Sequence, residues 1–478
     1  MKTIALLIFL LPLLVSARQL EVCSDCEYKS LSSASQIATP GDTILIKGTM
    51  AQGNQVANLK GTPNNWIYII GADNATYSGG NTALQLSDCE YLYISNITFE
   101  GQKLNGVNID DAGTFDSPTH HIKIDNCTFR DMAVTGNNDL LKLSGFEDFE
   151  ITNCTLLNGS PGGSGIDMVG CHNGLIANNY FEDMGSNCIQ AKGGTRDIHI
   201  TRNMFINGGN RAINIGGSTG LAYFRPQDAK AESQDMSVYA NIFVGGECAV
   251  AFVGTVNSQV YNNTIVGSRK WIFRILQESV DPDRFLSCGD NSFYNNVVQF
   301  DDSLSMTVNI GSNTRPETFK FYNNLWYKEK DQPWNHNLPA KDSNSFTEYN
   351  PKLNEKYGYD IYPLKSFVMA GRGKELSQPT YDYDSVLYAT PPTIGAFEVN
   401  PATSVLFSNA AENVIIRDGK LYVSDNKYDK YRIYNYSGSL LDESEVNGNT
   451  INLTQIKENY LIIILESDKT RKLMIVRK

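Results

Sequence analysis

An asparagine placed two residues ahead of a large apolar side chain recurs along this chain at intervals of roughly 22 to 30 residues, a solenoid period. The clearest copies are Asn179-Tyr180-Phe181, Asn203-Met204-Phe205, Asn241-Ile242-Phe243, Asn263-Thr264-Ile265, Asn296-Val297-Val298 and Asn324-Leu325-Trp326, with Cys127 and Cys154 in the same place in earlier copies. Asparagine tolerates the left-handed backbone of a tight turn, and its amide can bond the amide one coil above and one below. The asparagines therefore read as a structural ladder, and the chain as a parallel β-helix of stacked coils.

A second stripe is a short strand ending in glycine: Leu141–Gly145, Ile166–Gly170, Ile189–Gly193, Ile213–Gly217 and Val250–Gly254. Strand side chains alternate faces, so Leu141, Ile166, Ile189, Ile213 and Val250 point into the core. The residues between them point outward, and coils sit about 4.8 Å apart. One outward row is Asn108, Lys142, Asp167, Gln190, Asn214, Ala251 and Arg274; the other is Asp110, Ser144, Val169, Lys192, Gly216 and Val253. Together they form a candidate cleft floor.

Two long insertions, Ser218–Asp235 and Gln277–Asn291, leave from the end of that stripe, where solenoids collect functional loops. The first carries Tyr223-Phe224-Arg225-Pro226, an aromatic and arginine group suited either to stacking on sugar rings and holding a carboxylate or to packing on its own loop. His172 and His199 read as turn or surface residues.

The pattern fades after about residue 330 into a Pro- and Tyr-rich stretch ending at Ile394-Gly395-Ala396-Phe397-Glu398, expected over 331–399 to wrap or cap the last coil. Strands of Ile, Val and Tyr alternating with turns such as Asn447-Gly448 then read as a small antiparallel β-sandwich over 400–478. The fold expected is all-β, with the helix itself over 18–330.

The first 17 residues, a Lys2-bearing start, an apolar run from Ile4 to Val15 and Ser16-Ala17, have the form of an export leader. No stretch is long enough to span a membrane as a helix, so a secreted or cell-surface location is expected. A net charge of −12 excludes nucleic acid as a general partner, and an acidic ligand would need a local basic cleft. Of nine cysteines, Cys23 and Cys26 form a CxxC read as a small disulfide, and the other seven read as buried apolar residues.

The segment from about Ala38 to Trp326, opening Ala38-Thr39-Pro40-Gly41-Asp42-Thr43-Ile44, resembles the secreted right-handed β-helix superfamily that includes pectate lyases, alginate lyases and chondroitinase B. The last seventy or so residues, with Tyr431-Arg432-Ile433-Tyr434-Asn435-Tyr436-Ser437-Gly438, resemble the type IX secretion sorting domain of Bacteroidota. The first resemblance implies an acidic polysaccharide substrate, with calcium left open as a cofactor and no other cofactor motif. The second implies the secretion machinery as a partner.

A lyase must neutralise a uronate carboxylate, remove the C5 proton with a base and protonate the leaving oxygen. Lys192 is the expected base, Arg211 or Arg225 the neutralising cation, and Lys142 and Asp167 complete the catalytic set. Gln190, Asn214, Tyr223, Arg225 and Arg274 are the expected substrate-binding residues. A hydrolase would instead need paired carboxyls, for which Asp110, Asp111, Asp139 and Asp167 are candidates, Asp110 with Asp167 suiting the wider, inverting spacing. A glycan-binding protein without turnover would use the same cleft.

Overall fold

A computed structural model describes residues 17–399, apart from 51–53, 73, 134–135, 330–336, 348 and 364–368, and the strands of 414–477 without most of the turns that join them. The leader residues 1–16 and the Asn447-Gly448 turn lie outside the described residues. The chain divides into two compact units, 1–399 and 400–478.

Each coil of the first unit contributes one strand to each of three parallel sheets, as in Ser164–Val169, His172–Ala177 and Tyr180–Glu182, before Asn187–Lys192 begins the next coil. Every strand pairs in parallel with its equivalent one coil away, giving sheets of ten, fifteen and eleven strands. This is the parallel β-helix expected from the repeat.

The large apolar residue of the repeat points inward and stacks on its equivalents, with ring centroids 5.0 Å apart for Phe181 and Phe205 and 4.8 Å for Phe205 and Phe243. Two residues earlier, the asparagines form a continuous ladder. Asn203 donates to Asn241 Oδ1 at 3.1 Å, Asn241 to Asn263 Oδ1 at 3.1 Å and Asn263 to Asn296 Oδ1 at 3.0 Å, each amide oxygen also accepting a backbone N–H of the coil before. The ladder ends where Ser345 Oγ accepts the N–H of Asn324 at 2.8 Å.

The left-handed conformation and the ladder fall on consecutive residues instead of one. Asn178, Asn262, Asn295 and Asn323 have φ between 51° and 58°, whereas the ladder asparagines that follow them do not enter that region. The turn uses both residues: positive-φ asparagines also stack, Asn295 donating to Asn262 Oδ1 at 3.0 Å and Asn126 to Asn96 Oδ1 at 2.7 Å, while the amides of the following residues form the long buried ladder.

At the N-terminal end, the Gln19–Val22 strand joins Thr43–Ile46, and the short helix Leu31–Ser35 buries Leu31 and Ala34 over the first coil. Cys23 and Cys26 are disulfide-bonded, and the remaining cysteines are buried free thiols. Beyond Lys328, the Asp342–Ser343 strand extends the fifteen-stranded sheet. The chain then runs back along the outside of the coils: Asn323, Asn295 and Asn262 donate to the carbonyls of Arg372, Lys374 and Thr393 at 2.9, 2.9 and 2.8 Å. Ile361, Ala396 and Phe397 cover Met204, Ile206 and Ile242, so this segment shields the side of several coils.

The second unit pairs an antiparallel sheet of Val414–Arg417, Lys420–Val423 and Thr450–Asn452 with a sheet of Leu440–Glu445, Lys430–Asn435, Tyr460–Glu466 and Arg471–Arg477. Leu421 and Ile451 of the first share a core with Ile433, Leu461, Ile463 and Leu465 of the second, which makes a small sandwich. Among the described residues no helix is long and apolar enough to cross a membrane.

Candidate functional site

The ten-stranded sheet carries the site, because its outward side chains stack in register. Asn108 pairs with Lys142, Lys142 with Asp167, Asp167 with Gln190, Gln190 with Asn214, Asn214 with Ala251, and Ala251 with Arg274. In the second row Asp110 pairs with Ser144, Ser144 with Val169 and Val169 with Lys192. The first row therefore lies where the sequence spacing puts it, and the second does so as far as Lys192.

A third column stands three residues ahead of the first, through Ser164, Asn187 and Arg211 and, further along, Cys248 and Trp271. Asp139 heads it, its Oδ1 accepting the Ser164 N–H at 2.8 Å. Two successive residues, such as Cys188 and Ile189, turn inward between the columns, and this brings the third column back to the floor. Period-two alternation gives no sign of it, so in the sequence Asp139 stands only as one carboxyl among several.

At the centre, the Asp167 carboxylate is shared by two lysines. Lys142 Nζ donates to Oδ2 at 2.5 Å, and Lys192 Nζ lies 3.1 Å from Oδ1 in ion-pair contact. Lys142 also reaches Asp139 Oδ2 at 3.3 Å. A buried carboxylate is tolerated only where opposite charge compensates its lost hydration, and here the close Lys142 contact supplies most of that compensation, with Lys192 adding to it. Burial first, and then the Asp167 charge, push the Asp139 carboxyl up to about 6. Burial works against the charged Lys142 amine, but Asp167 and Asp139 outweigh it and hold Lys142 above the usual lysine range.

The charges are layered. Asp139 and Asp167 side chains are 5% and 3% exposed, whereas Lys142 is 30%, Lys192 17% and Arg211 18% exposed. What a ligand meets at the middle of the floor is positive, in a chain whose net charge is −12.

Arg225 is not on this surface. It forms a bidentate pair with Asp111, Nε to Oδ2 at 2.5 Å and Nη2 to Oδ1 at 2.9 Å, and its guanidinium lies 4.4 Å over Phe115. The expectation that it neutralises a substrate carboxylate is overturned, since both faces of its fork are engaged within the protein. The strand-ending glycines make this possible. A Cβ at Gly170 would stand 2.5 Å from Arg225 Cβ, and one at Gly145 2.6 Å from Arg225 Nε, and both have positive φ. The same pair removes Asp111 from the hydrolase candidates. Asp110 is likewise committed, accepting from Gln85 and Asn108 at 2.7 and 2.9 Å; the two carboxyls brought together are Asp139 and Asp167.

The first insertion is fastened twice more. His172 donates from Nε2 to the Arg225 carbonyl at 3.1 Å and pairs through Nδ1 with Glu147 at 2.8 Å, so it is a buried anchor and not a turn or surface residue. His199 is exposed. Glu232, buried, accepts the Gly193 N–H at 2.9 Å, the Thr219 N–H at 2.9 Å, the Thr219 hydroxyl at 2.7 Å and the Ser279 hydroxyl. One carboxylate thus ties both insertions to the end of the Lys192 strand. Its position at the close of an irregular loop gave the sequence no periodic signal. Phe224 and Phe285 pack at 5.3 Å with Arg284 over both rings, fusing the insertions into one wall. Tyr223 stands on that wall 64% exposed, and Gly217 passes so close over the floor that a Cβ would meet Gln190 Nε2 at 2.7 Å.

The remaining expected ligand-binding residues fall at the far end of the floor. Asn214 is buried under Arg211, which donates to it at 3.0 Å and to Glu278 at 2.9 Å, and Arg274 lies 4.2 Å over Trp271. Calcium does not fit the cluster: lysines occupy Asp139 and Asp167, and among the described residues no three His, Cys, Asp or Glu side chains are placed to hold a metal ion.

Residues 25–298 match the family model described as the right handed beta helix region. The chain belongs to the right-handed β-helix family. No curated protein sequence matches this β-helix protein. Among solved structures it is similar to an alginate lyase from Paenibacillus sp. str. FPU-7, at 18% identity over 62% of this chain and 97% of that one, with a TM-score of 0.41. It is also similar to the A-module of the mannuronan C-5 epimerase AlgE6 from Azotobacter vinelandii, at 13% identity over 66% and 93%, TM-score 0.45. A third is the GH136 lacto-N-biosidase from Eubacterium ramulus, at 14% identity over 69% and 68%, TM-score 0.37. At these identities and TM-scores the likeness carries no chemistry across.

Proposed function

We propose that this β-helix protein is a carbohydrate-active enzyme, a polysaccharide lyase that cleaves a uronate-containing polysaccharide by β-elimination on the Lys142–Lys192 floor. The observation that supports it is the layering of charge, with ammonium and guanidinium groups outermost and the carboxylates beneath them. An anionic chain is drawn to such a surface, and a neutral one gains nothing from it.

Lys142, held charged by two carboxylates, neutralises the substrate carboxylate and so makes the neighbouring C5–H acidic. Lys192 takes that proton as the neutral amine, having first passed its own ammonium proton to solvent: it is the less tightly held of the two lysines, at 3.1 Å against 2.5 Å from Asp167. As the C5–H bond breaks, a C4=C5 double bond forms, the C4–O bond opens and the leaving oxygen takes a proton from solvent water. The ammonium formed on Lys192 is then stabilised by Asp167 beneath it, as a buried carboxylate stabilises any cation generated beside it. The C-terminal unit holds none of these residues and, on its resemblance to a sorting domain, serves export.

A second reading rests on Asp139, whose raised carboxyl beside Asp167 is the acid-and-base pairing of a glycoside hydrolase. Incubation with alginate, pectate, chondroitin and ulvan separates the two. Products absorbing in the ultraviolet, from the new double bond, establish the lyase. New reducing ends without that absorbance establish the hydrolase, and retention on the polysaccharide with neither product establishes a binding protein.

A further inference from the structure

The floor has a second cationic centre. Three coils beyond Lys192, roughly 14 Å along the stack, Arg274 lies flat over Trp271 at 4.2 Å, its Nε donating to Asn309 Oδ1 at 3.0 Å. Its two Nη groups carry no hydrogen bond to any described residue. Arg211 stands nearby, held by Asn214 and Glu278. The coil between contributes Ala251, whose methyl group is all that the first row raises between Asn214 and Arg274. Burial first, and then the Arg211 charge, hold the Arg274 guanidinium below the usual arginine range. Two guanidinium groups thus crowd one end of the floor, where Glu278 contacts Arg211 and the nearby Glu247 is paired with Lys270 at 3.4 Å.

We infer that Arg274, seated on Trp271 and flanked by Arg211, forms a distal carboxylate seat that takes a second uronate unit of the chain bound at Lys192. Stacking on Trp271 fixes the guanidinium plane in advance, which lowers the cost of ordering it around a carboxylate. In the first row the gap is spanned by Gln190, Asn214 and Ala251, none of them charged, and Arg211 over Asn214 belongs to the distal centre. A single uronate cannot touch both centres, so the seat selects an oligomer with charged units at both ends of that gap, lying along the helix axis.

This inference rests on the anionic-polysaccharide reading, and one calorimetric experiment distinguishes their failures. The full chain is titrated with mono-, di-, tetra- and hexa-uronates of the galacturonate and mannuronate series. Affinity is expected to rise about tenfold or more once the oligomer spans the gap, the worth of one well-placed charged contact. Arg274→Gln and Trp271→Ala are expected to flatten the rise, while Lys123→Gln, a charge removed from a different sheet, leaves it in place. Circular dichroism of each variant against the native chain verifies the fold. Binding without length dependence, or a rise that survives Arg274→Gln, overturns the distal seat and leaves the cationic floor standing. No binding of any uronate overturns both.

Discussion

Arg225 and Asp111, 114 residues apart in the chain, meet in a buried bidentate ion pair that holds the first insertion against the edge of the floor. Truncating one partner strands the other's charge, which costs about 3–5 kcal/mol in a buried pair. Arg225→Ala should lower stability by that amount in thermal or denaturant unfolding, and Arg225→Met with Asp111→Leu should regain most of the loss. Single and double variants of equal stability would show that the pair is not mutually dependent.

Lys192→Ala should abolish turnover, with the far-UV spectrum and unfolding midpoint little changed, because Lys142 keeps its own, closer contact with Asp167. Product formation is the measurement, and surviving turnover would remove Lys192 as the base.

Asp139 makes stability depend on pH. Folding raises its pKa from 3.8 to about 6, so the folded chain holds the proton more tightly than the unfolded one. This contribution is complete below pH 3.8 and is lost as pH rises through about 6. Stability curves of the native chain and Asp139→Asn should diverge between those limits and run parallel above them, as read from unfolding midpoints across pH.

Glu232→Ala should free both insertions at once, since its carboxylate accepts from Gly193, Thr219 and Ser279. Limited proteolysis should cut within 218–235 and 277–291 in the variant well before the native chain, while the coils stay intact. Unchanged cleavage would mean that the Phe224–Phe285 contact holds the wall alone.

Asn241→Ala should cost at least about 2 kcal/mol, because it leaves the Asn203 N–H and the carbonyls of Ile200 and Tyr239 without their partner inside the turn. The unfolding midpoint measures this directly.

Stacking made the floor legible: residues one coil apart are neighbours, so Lys142, Asp167, Gln190 and Lys192 could be assembled from spacing alone. What spacing cannot show is a contact across coils made by an irregular segment. In the sequence Arg225 stands free because its partner Asp111 belongs to a distant coil, and Glu232 carries no periodic mark because it closes an insertion. Asp139 was obscured for a third reason, a local bend that returns a residue to the outer face out of phase with strand alternation. The ladder asparagines were found for the right motif, but the positive φ belongs to the residue before them.

The ladder also has a direction. From Cys154 onward, each coil's turn N–H is accepted by the side chain of the coil that follows: Cys154 by Asn179, Asn179 by Asn203, and so on to Ser345. A chain emerging amino end first therefore always has a leading coil whose turn is unsatisfied until the next one is wound on. Growth of the stack is vectorial, and an arrest at any coil leaves an open donor at the tip for a foreign acceptor to fill.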